Sequence, residues 1–239
     1  MKEREIYSNI RAAPPIVIRA NGRNFKKLLE HFKKPYDKKF ATAMADSTER
    51  LMRESGLNPR FAYMFSDEIN VFFLKTPFQG RIEKLDSIIP SFLASALSLA
   101  LKTTISFDAR VIPLSERDIY KYLELRQAEA WRNHVHSHGY YALRERGLSK
   151  RAAALKMKGM SSQEIHDMLF ERGVNLAETP VWQRRGILIR KEAYQKPGYD
   201  PKKRLRVIAG RSKVIQDWEL PLFSTEEGKK LIAELLTEM

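Results

Sequence analysis

Four short runs rich in β-branched and aromatic residues most limit what this chain can become: PIVIR at 15–19, FAYMF at 61–65, INVFFL at 69–74 and TISFDARVI at 104–112. Each has the length of a strand. Between the first and second, from Phe25 to about Glu54, the apolar residues recur at helical spacing, with an interruption near Lys34-Pro35. Residues 81–102, between the third and fourth, do the same. Only Ser66-Asp67-Glu68 parts the second run from the third, which predicts a hairpin with an acidic tip. The order β-α-β-β-α-β is the split βαβ, ferredoxin-like pattern. It predicts an α+β fold, an antiparallel palm-like sheet with its helices on one face. A long amphipathic helix over 116–147 is an addition, so the core is expected to span 1–147. The remainder, 148–239, reads as a helical and β appendage. It has two short helices within 149–173, strands at 186–190 and 205–209, and a helix from Thr225 to Met239. Ser161 and Glu164 suit a capping box at the second of the short helices.

Charge narrows the partner. Of 239 residues, 43 are Lys or Arg and 29 are Asp or Glu, a net charge of +14. Such an excess fits a polyanion, nucleic acid before a membrane surface. It is densest between 184 and 213, where eleven Lys/Arg meet only Glu192 and Asp200. With no cysteine, thiol nucleophiles, disulfide scaffolds and Cys-ligated metal sites are excluded. MKEREIY carries no apolar leader. The most apolar stretch, Ile88–Leu101, holds Pro90 and three serines and is read as short of the ~18 residues a span requires. A soluble cytoplasmic protein without a membrane partner is expected.

In a split βαβ sheet the first strand ends beside the central hairpin tip. Asn21, Gly22, Asp67 and Glu68 should therefore converge. Oxygen donors there suit hard cations such as Mg²⁺, and two metals could clamp a transferring phosphoryl group. Ser-Asp-Glu equally suits a solvated turn. Arg81 and Lys84 share one face at a helix start, with Arg23, Lys33 and Lys34 near the first turn. These are triphosphate binders or a solvated basic face. The GxxxxGK[ST] loop is missing. His134 and His138 face one way without a third zinc ligand, and with His136 they read as phosphate contacts or a plain helix face. Residues 149–173 also read as a helix-turn-helix, so a nucleic-acid-binding protein without catalysis is the alternative. A cyclase or forward polymerase with a palm-like core is a third reading.

Six motifs in order resemble the tRNA-histidine guanylyltransferase family, and within it the Thg-like branch of 3′-to-5′ reverse polymerases. IRANGRNF is similar to R-x-D-G-R-x-F, Lys34-Pro35-x-Asp37 to K-P-x-D, and Ser66-Asp67-Glu68 to S-D-E. Arg81-x-x-Lys84 follows at similar spacing. Phe107-Asp108-Ala109-Arg110 resembles F-D-G/A-R, and Arg126-Gln127-Ala128-Glu129 resembles R-Q-A-D/E. Arg184-Arg185-Gly186 sits where the family has a basic residue before Gly and a strand. The resemblance implies template-dependent addition of GTP or another NTP to the 5′ end of a tRNA. ATP first adenylylates the 5′-monophosphate, and the 3′-OH of the incoming NTP then displaces AMP.

By the same resemblance two Mg²⁺ ions are held by Asp67, the Gly22 carbonyl and position 21, with Asp67, Glu68 and Asn21 as the catalytic set. Asn21, Gly22, Arg23, Asn24, Phe25, Lys26 and Ser66 line the nucleotide. Lys34, Asp37, Arg81 and Lys84 hold triphosphate and sugar. Arg126, Asn133, His134 and His136 face RNA, as do Arg184, Arg185, Lys202, Lys203, Arg204, Arg206, Arg211 and Lys213. The family's habit implies a homotetramer, a dimer of dimers. Two departures stand out. The family's Asp is Asn21 here, which is expected to weaken Mg²⁺ binding and to cost on the order of 10²–10³ in rate. Its eukaryotic H-I-N-N is Trp131-Arg132-Asn133-His134, which favours 5′-end repair over a eukaryote-style reading of the histidine anticodon.

Overall fold

The computed structural model describes residues 4–200 and 205–237. The expected core is present in order. It runs β1 (Ile16–Gly22), a four-residue α1 (Phe25–Leu28), α2 (Lys38–Glu54), β2 (Phe61–Phe65), β3 (Glu68–Phe73), α3 (Ile82–Leu101) and β4 (Phe107–Pro113). α4 (Glu116–Glu145) follows, then α5 (Lys150–Met157), α6 (Ser162–Phe170) and α7 (Val181–Arg185). β5 (Ile187–Asp200), β6 (Leu205–Asp217) and α8 (Glu226–Leu236) complete the chain.

The strands form one antiparallel sheet in the order β4-β1-β3-β2-β5-β6. Alternation assigns the faces. Ile16, Ile18, Ala20, Ile69, Val71 and Phe73 point to one side, where they pack with Met44, Leu51, Leu85, Ile89 and Leu93 of α2 and α3. This is the one-faced helix layer the core pattern predicts. Val17, Phe61, Tyr63 and Phe72 point to the other side, where the added elements α4 and α8 cover them through Ile119, Leu123, Ile232 and Leu235. A fully buried side chain of this kind contributes about 1.5–3 kcal/mol. The two clusters therefore hold the sheet from both sides. A third cluster seats α5 and α6 on the distal half of α4 through Val135, Leu143, Ala153, Met157, Ile165 and Leu169.

Two expectations change. The segment beyond 147 extends the core sheet, since β5 pairs with β2 from Phe61↔Arg190 to Met64↔Ile187. β5 and β6 are also far longer than the runs at 186–190 and 205–209, because exposed polar and basic residues continue the ladder where no apolar pattern marks it. The expectation of no run long enough for a membrane span is likewise corrected. α3 continues through Pro90 and is long and apolar enough by length and composition. Its Leu85, Ile89, Leu93 and Leu97 are nevertheless spent on the protein core.

Candidate active site

The open end of the sheet is built by pairing. β2 and β3 close a two-residue turn at Ser66-Asp67, with Phe65 opposite Glu68. Ser66 adopts a left-handed conformation at φ 52°, uncommon outside glycine and found where a tight turn or a site enforces it. β1 ends alongside. The Gly22 N–H donates to the Asp67 carbonyl at 3.0 Å, and Asn21 lies opposite Glu68. The Arg23 N–H donates to the Ser106 carbonyl at 2.9 Å, tying the same end to the β4 approach. Gly22 has a packing reason to be glycine: a Cβ there would lie 2.6 Å from the Phe25 ring. Phe25 is in turn fixed edge-on by Phe40 and Phe107 at 5.9 and 5.3 Å.

Asn21, Gly22 and Asp67 therefore do come together. Burial pushes the Asp67 carboxyl up, hydrogen bonds from its own backbone and from Ser66 oppose this, and the nearby Asp108 charge pushes it up further. Asn21 Nδ2 is buried without a hydrogen-bond partner among the described residues. The set Asn21 amide, Gly22 carbonyl and Asp67 carboxylate has the hard oxygen chemistry that Mg²⁺ takes. Among the described residues, no group of three or more His, Cys, Asp or Glu side chains is placed to hold a metal. The residues fit an ion only as a mixed carboxylate, amide and carbonyl site.

Glu68 does something else. Its carboxylate accepts from Asn70 Nδ2 at 2.9 Å and pairs with Arg126 at 3.2 Å, both partners largely buried. Arg126 also approaches Glu129 at 3.8 Å. Expected at the RNA surface, Arg126 is instead held between α4 and the sheet. Breaking such a pair from one side typically costs about 3–5 kcal/mol.

Other residues named from the sequence fall into three groups. Around the nucleotide-facing loop, Arg23, Asn24 and Lys26 are exposed while Phe25 is buried. Lys34 donates to the Leu29 carbonyl, and burial lowers its pKa against the pull of Glu30 and Asp37. Asp37 is the N-cap of α2, accepting from the backbone N–H of Lys39, Phe40 and Lys33 at 2.7, 3.2 and 2.9 Å. Lys33, Lys34, Tyr36 and Ser66 line a cleft closed on its far side by Ala130, Tyr141 and Trp182.

Arg81 and Lys84 are not brought to this cleft. Arg81 bridges Arg11, ahead of β1, at the sheet end opposite the hairpin tip. With ~3.3 Å per strand residue, that is roughly 20 Å from Asp67.

The third group is the RNA side. His134 is fully buried, 3.0 Å from Thr179 Oγ1, among Tyr36, Trp131 and His138. Burial, then His138 and Arg184, push its pKa down to about 3. It is a neutral core residue, not the surface contact expected; Asn133 and His136 on the same helix are half-buried. Arg184 Nε donates to the Thr179 carbonyl at 3.0 Å and Arg185 to the Leu220 carbonyl at 2.9 Å. Both guanidinia thus hold loops. Arg206, Arg211 and Lys213 lie exposed on β6, with Lys213 2.8 Å from Glu192. Lys202, Lys203 and Arg204 lie outside the described residues. The exposed face of α6 carries Gln163, Glu164 and Asp167, an acidic surface unsuited to a recognition helix.

Sequence reasoning gave no role to Arg19, Asp108 and Arg110. All three share the face of Asn21, through the pairs Asn21↔Asp108 and Arg19↔Arg110. The signal was period-two alternation within IRAN and FDAR, legible only once the register was known.

Comparison with known proteins bears on the family and the fold. The profile of the tRNAHis guanylyltransferase family matches residues 1–115. A probable tRNA(His) guanylyltransferase of Drosophila melanogaster is 31% identical over 192 residues, covering 74% of this chain and 67% of the relative. That of Dictyostelium discoideum is 28% identical over 198 residues, covering 75% and 76%. Among solved structures, a bacterial tRNA(His) guanylyltransferase-like protein in complex with GTP superposes with a TM-score of 0.76 at 21% identity, covering 99% of this chain and 97% of its own. The Saccharomyces cerevisiae tRNA(His) guanylyltransferase reaches 0.68 at 24%, covering 78% and 90%. The structures carry the fold, and the Drosophila relative carries the kinship: this chain belongs to the tRNA(His) guanylyltransferase family, a family of nucleotidyltransferases.

Proposed function

We propose that this chain adds nucleotides to the 5′ end of tRNA in the 3′-to-5′ direction, selecting them by pairing with the opposite strand. The observation that carries the reading is the junction of Asn21-Gly22 with Asp67 at the hairpin tip, locked by the 3.0 Å Gly22-to-Asp67 hydrogen bond. ATP and GTP are the substrates, as nucleotide complexes of two structural neighbours suggest. The cleft lined by Lys34, Tyr36 and Ser66 is where a nucleotide would sit beside the tip. Mg²⁺, held by Asp67, the Gly22 carbonyl and Asn21, would neutralise phosphate charge and lower the pKa of an attacking hydroxyl.

The protein's own contribution is positional. The Ser66-Asp67 turn is pinned by β1, and the Glu68–Arg126 pair fixes α4 against the tip. Nucleotide and 5′ end are thereby held at one place, which reduces the entropic part of the barrier. Arg81 and Lys84 cannot reach this tip within one chain, so triphosphate contact by them requires a second copy, as a dimer-of-dimers tetramer would supply.

The test is a Mg²⁺-dependent assay on 5′-labelled tRNA lacking its first nucleotide, with ATP and GTP. Asn21→Asp should extend the 5′ end about 10²–10³ faster than the parent. Equal rates would refute the role given to position 21. Binding of tRNA without extension by either protein would return the reading to a non-catalytic binder.

A further inference from the structure

We infer that Asp108 supplies the carboxylate that position 21 lacks, so that this chain keeps a two-carboxylate metal site with its acids on β4 and the hairpin tip. The inference rests on the nucleotidyltransferase reading above and concerns a residue to which that reading gives no role.

Asn21 and Asp108 are direct cross-strand partners on adjacent antiparallel strands. Such partners project to the same face with Cβ atoms about 4.5–5.5 Å apart. A side chain on one can therefore reach the space in front of the other. Asp108 is also near enough to Asp67 for its charge to act on that carboxyl. The two acids thus flank the Asn21-Gly22 corner from opposite sides, β4 on one and the β2–β3 turn on the other.

Three further features separate this from a chance surface acid. Asn21 Nδ2 is buried with no partner among the described residues. Buried polar groups are normally paired, and the N–H groups of this amide are donors, so what completes them is an acceptor such as a phosphate oxygen rather than the cation itself. Asp108 itself is exposed, and no ion pair consumes its carboxylate among the described residues. Finally, Arg19 and Arg110 pair one register step further along the same face, and Arg19 Nε is also buried without a partner. The pairing leaves positive charge on the face that Asn21 and Asp108 share, with Arg19 also engaging the Tyr122 hydroxyl.

Asn21 then impairs the rate by where it stands, while the metal is retained by where Asp108 stands. The experiment measures retention directly. Mn²⁺ binding to the full-length protein with GTP present is followed by electron paramagnetic resonance, for the parent, Asp108→Asn, Asp67→Asn, Asn21→Asp and the Asn21→Asp/Asp108→Asn double variant. Asp108→Asn should weaken Mn²⁺ binding by about 10-fold or more, a ligand-scale loss. With Asp restored at 21, the same change should cost no more than about 3-fold, since the restored carboxylate replaces it. Parent-like Mn²⁺ binding in Asp108→Asn, or an equal loss in both backgrounds, overturns the inference. If Asp67→Asn also leaves Mn²⁺ binding unchanged, the site reading itself fails, which keeps the two failures distinguishable. Asp108 is exposed on an edge strand and Asn is its isostere, so the far-ultraviolet circular dichroism melt should match the parent; a lost fold would be visible there and would be answered by the double variant.

Discussion

His134 shows how a residue that reads as a functional contact becomes a piece of the core. It sits on the buried side of α4 with Tyr36, Trp131, His138 and Arg184 around it, and its pKa is pushed down to about 3 by burial first and then by His138 and Arg184. The unfolded chain takes up a proton near pH 6.5 while the folded one stays neutral, so the unfolded state binds more protons as pH falls. Stability should be unaffected above that pH and should decline below it, by about 2 kcal/mol at pH 5 from this residue alone. His138, lowered by burial as well, adds to the same slope. Thermal melts of the parent and His134→Gln at pH 7.5 and 5 check this. The variant should start lower but lose less on acidification, and an identical pH slope in both proteins would count against a buried neutral His134.

At the scale of elements, α4 is the spine on which two unlike surfaces meet. Toward the sheet it presents Ile119, Leu123 and Ala130, with Arg126 reaching Glu68. Toward α5 and α6 it presents Val135 and Leu143. Gly139 lets the helices approach, since a Cβ there would fall 2.5 Å from Ile165 Cγ2 and 2.9 Å from Met157 Cε. Gly139→Val should wedge α5 and α6 away from α4 and destabilise the fold by about 1–3 kcal/mol, the usual cost of overpacking, as read by urea unfolding. Gly139→Ala should be milder, since the flexible end of Met157 can swing aside and only the Ile165 Cγ2 methyl, fixed to its β-carbon, has to shift. The same packing explains why 149–173 resembled a helix-turn-helix. A capped pair of short helices, with the Ser161–Glu164 capping box present, is needed to cover α4, and the outward face that remains is acidic on α6 and basic on α5.

For the molecule as a whole, the β5–β6 hairpin carries the basic charge away from the hairpin tip along one sheet edge. Arg206 and Arg211 are exposed there and, in the proposed function, meet tRNA phosphates. Replacing both with Ala should reduce the slope of log K against log salt by about 2, roughly one unit per lost phosphate contact. Filter-binding titrations from low to moderate salt would read it, and an unchanged slope would move the RNA track elsewhere. The far placement of Arg81 and Lys84 belongs to this scale too. In the proposed function it makes an assembly of copies, rather than the single chain, the unit in which Arg81 and Lys84 could contact triphosphate.

How much of this was legible beforehand depends on the range of the interaction. The βαββαβ order, the acidic tip and the Ser161 cap were readable because strand and helix periodicity and turn chemistry act over a few residues. The convergence of Asn21, Gly22 and Asp67 followed from topology, since a split βαβ sheet puts those ends side by side. Register, burial and partners were not readable. Whether Arg126 meets RNA or Glu68, whether His134 is wet or dry, and whether Asp108 faces Asn21 depend on contacts between residues 58 and 87 positions apart or on which face a long helix buries. A charged side chain looks the same in sequence whether solvent or an opposite charge will surround it. Only the packed sheet, with α4 laid across it, decides which, because only there is the cost of desolvation incurred and offset.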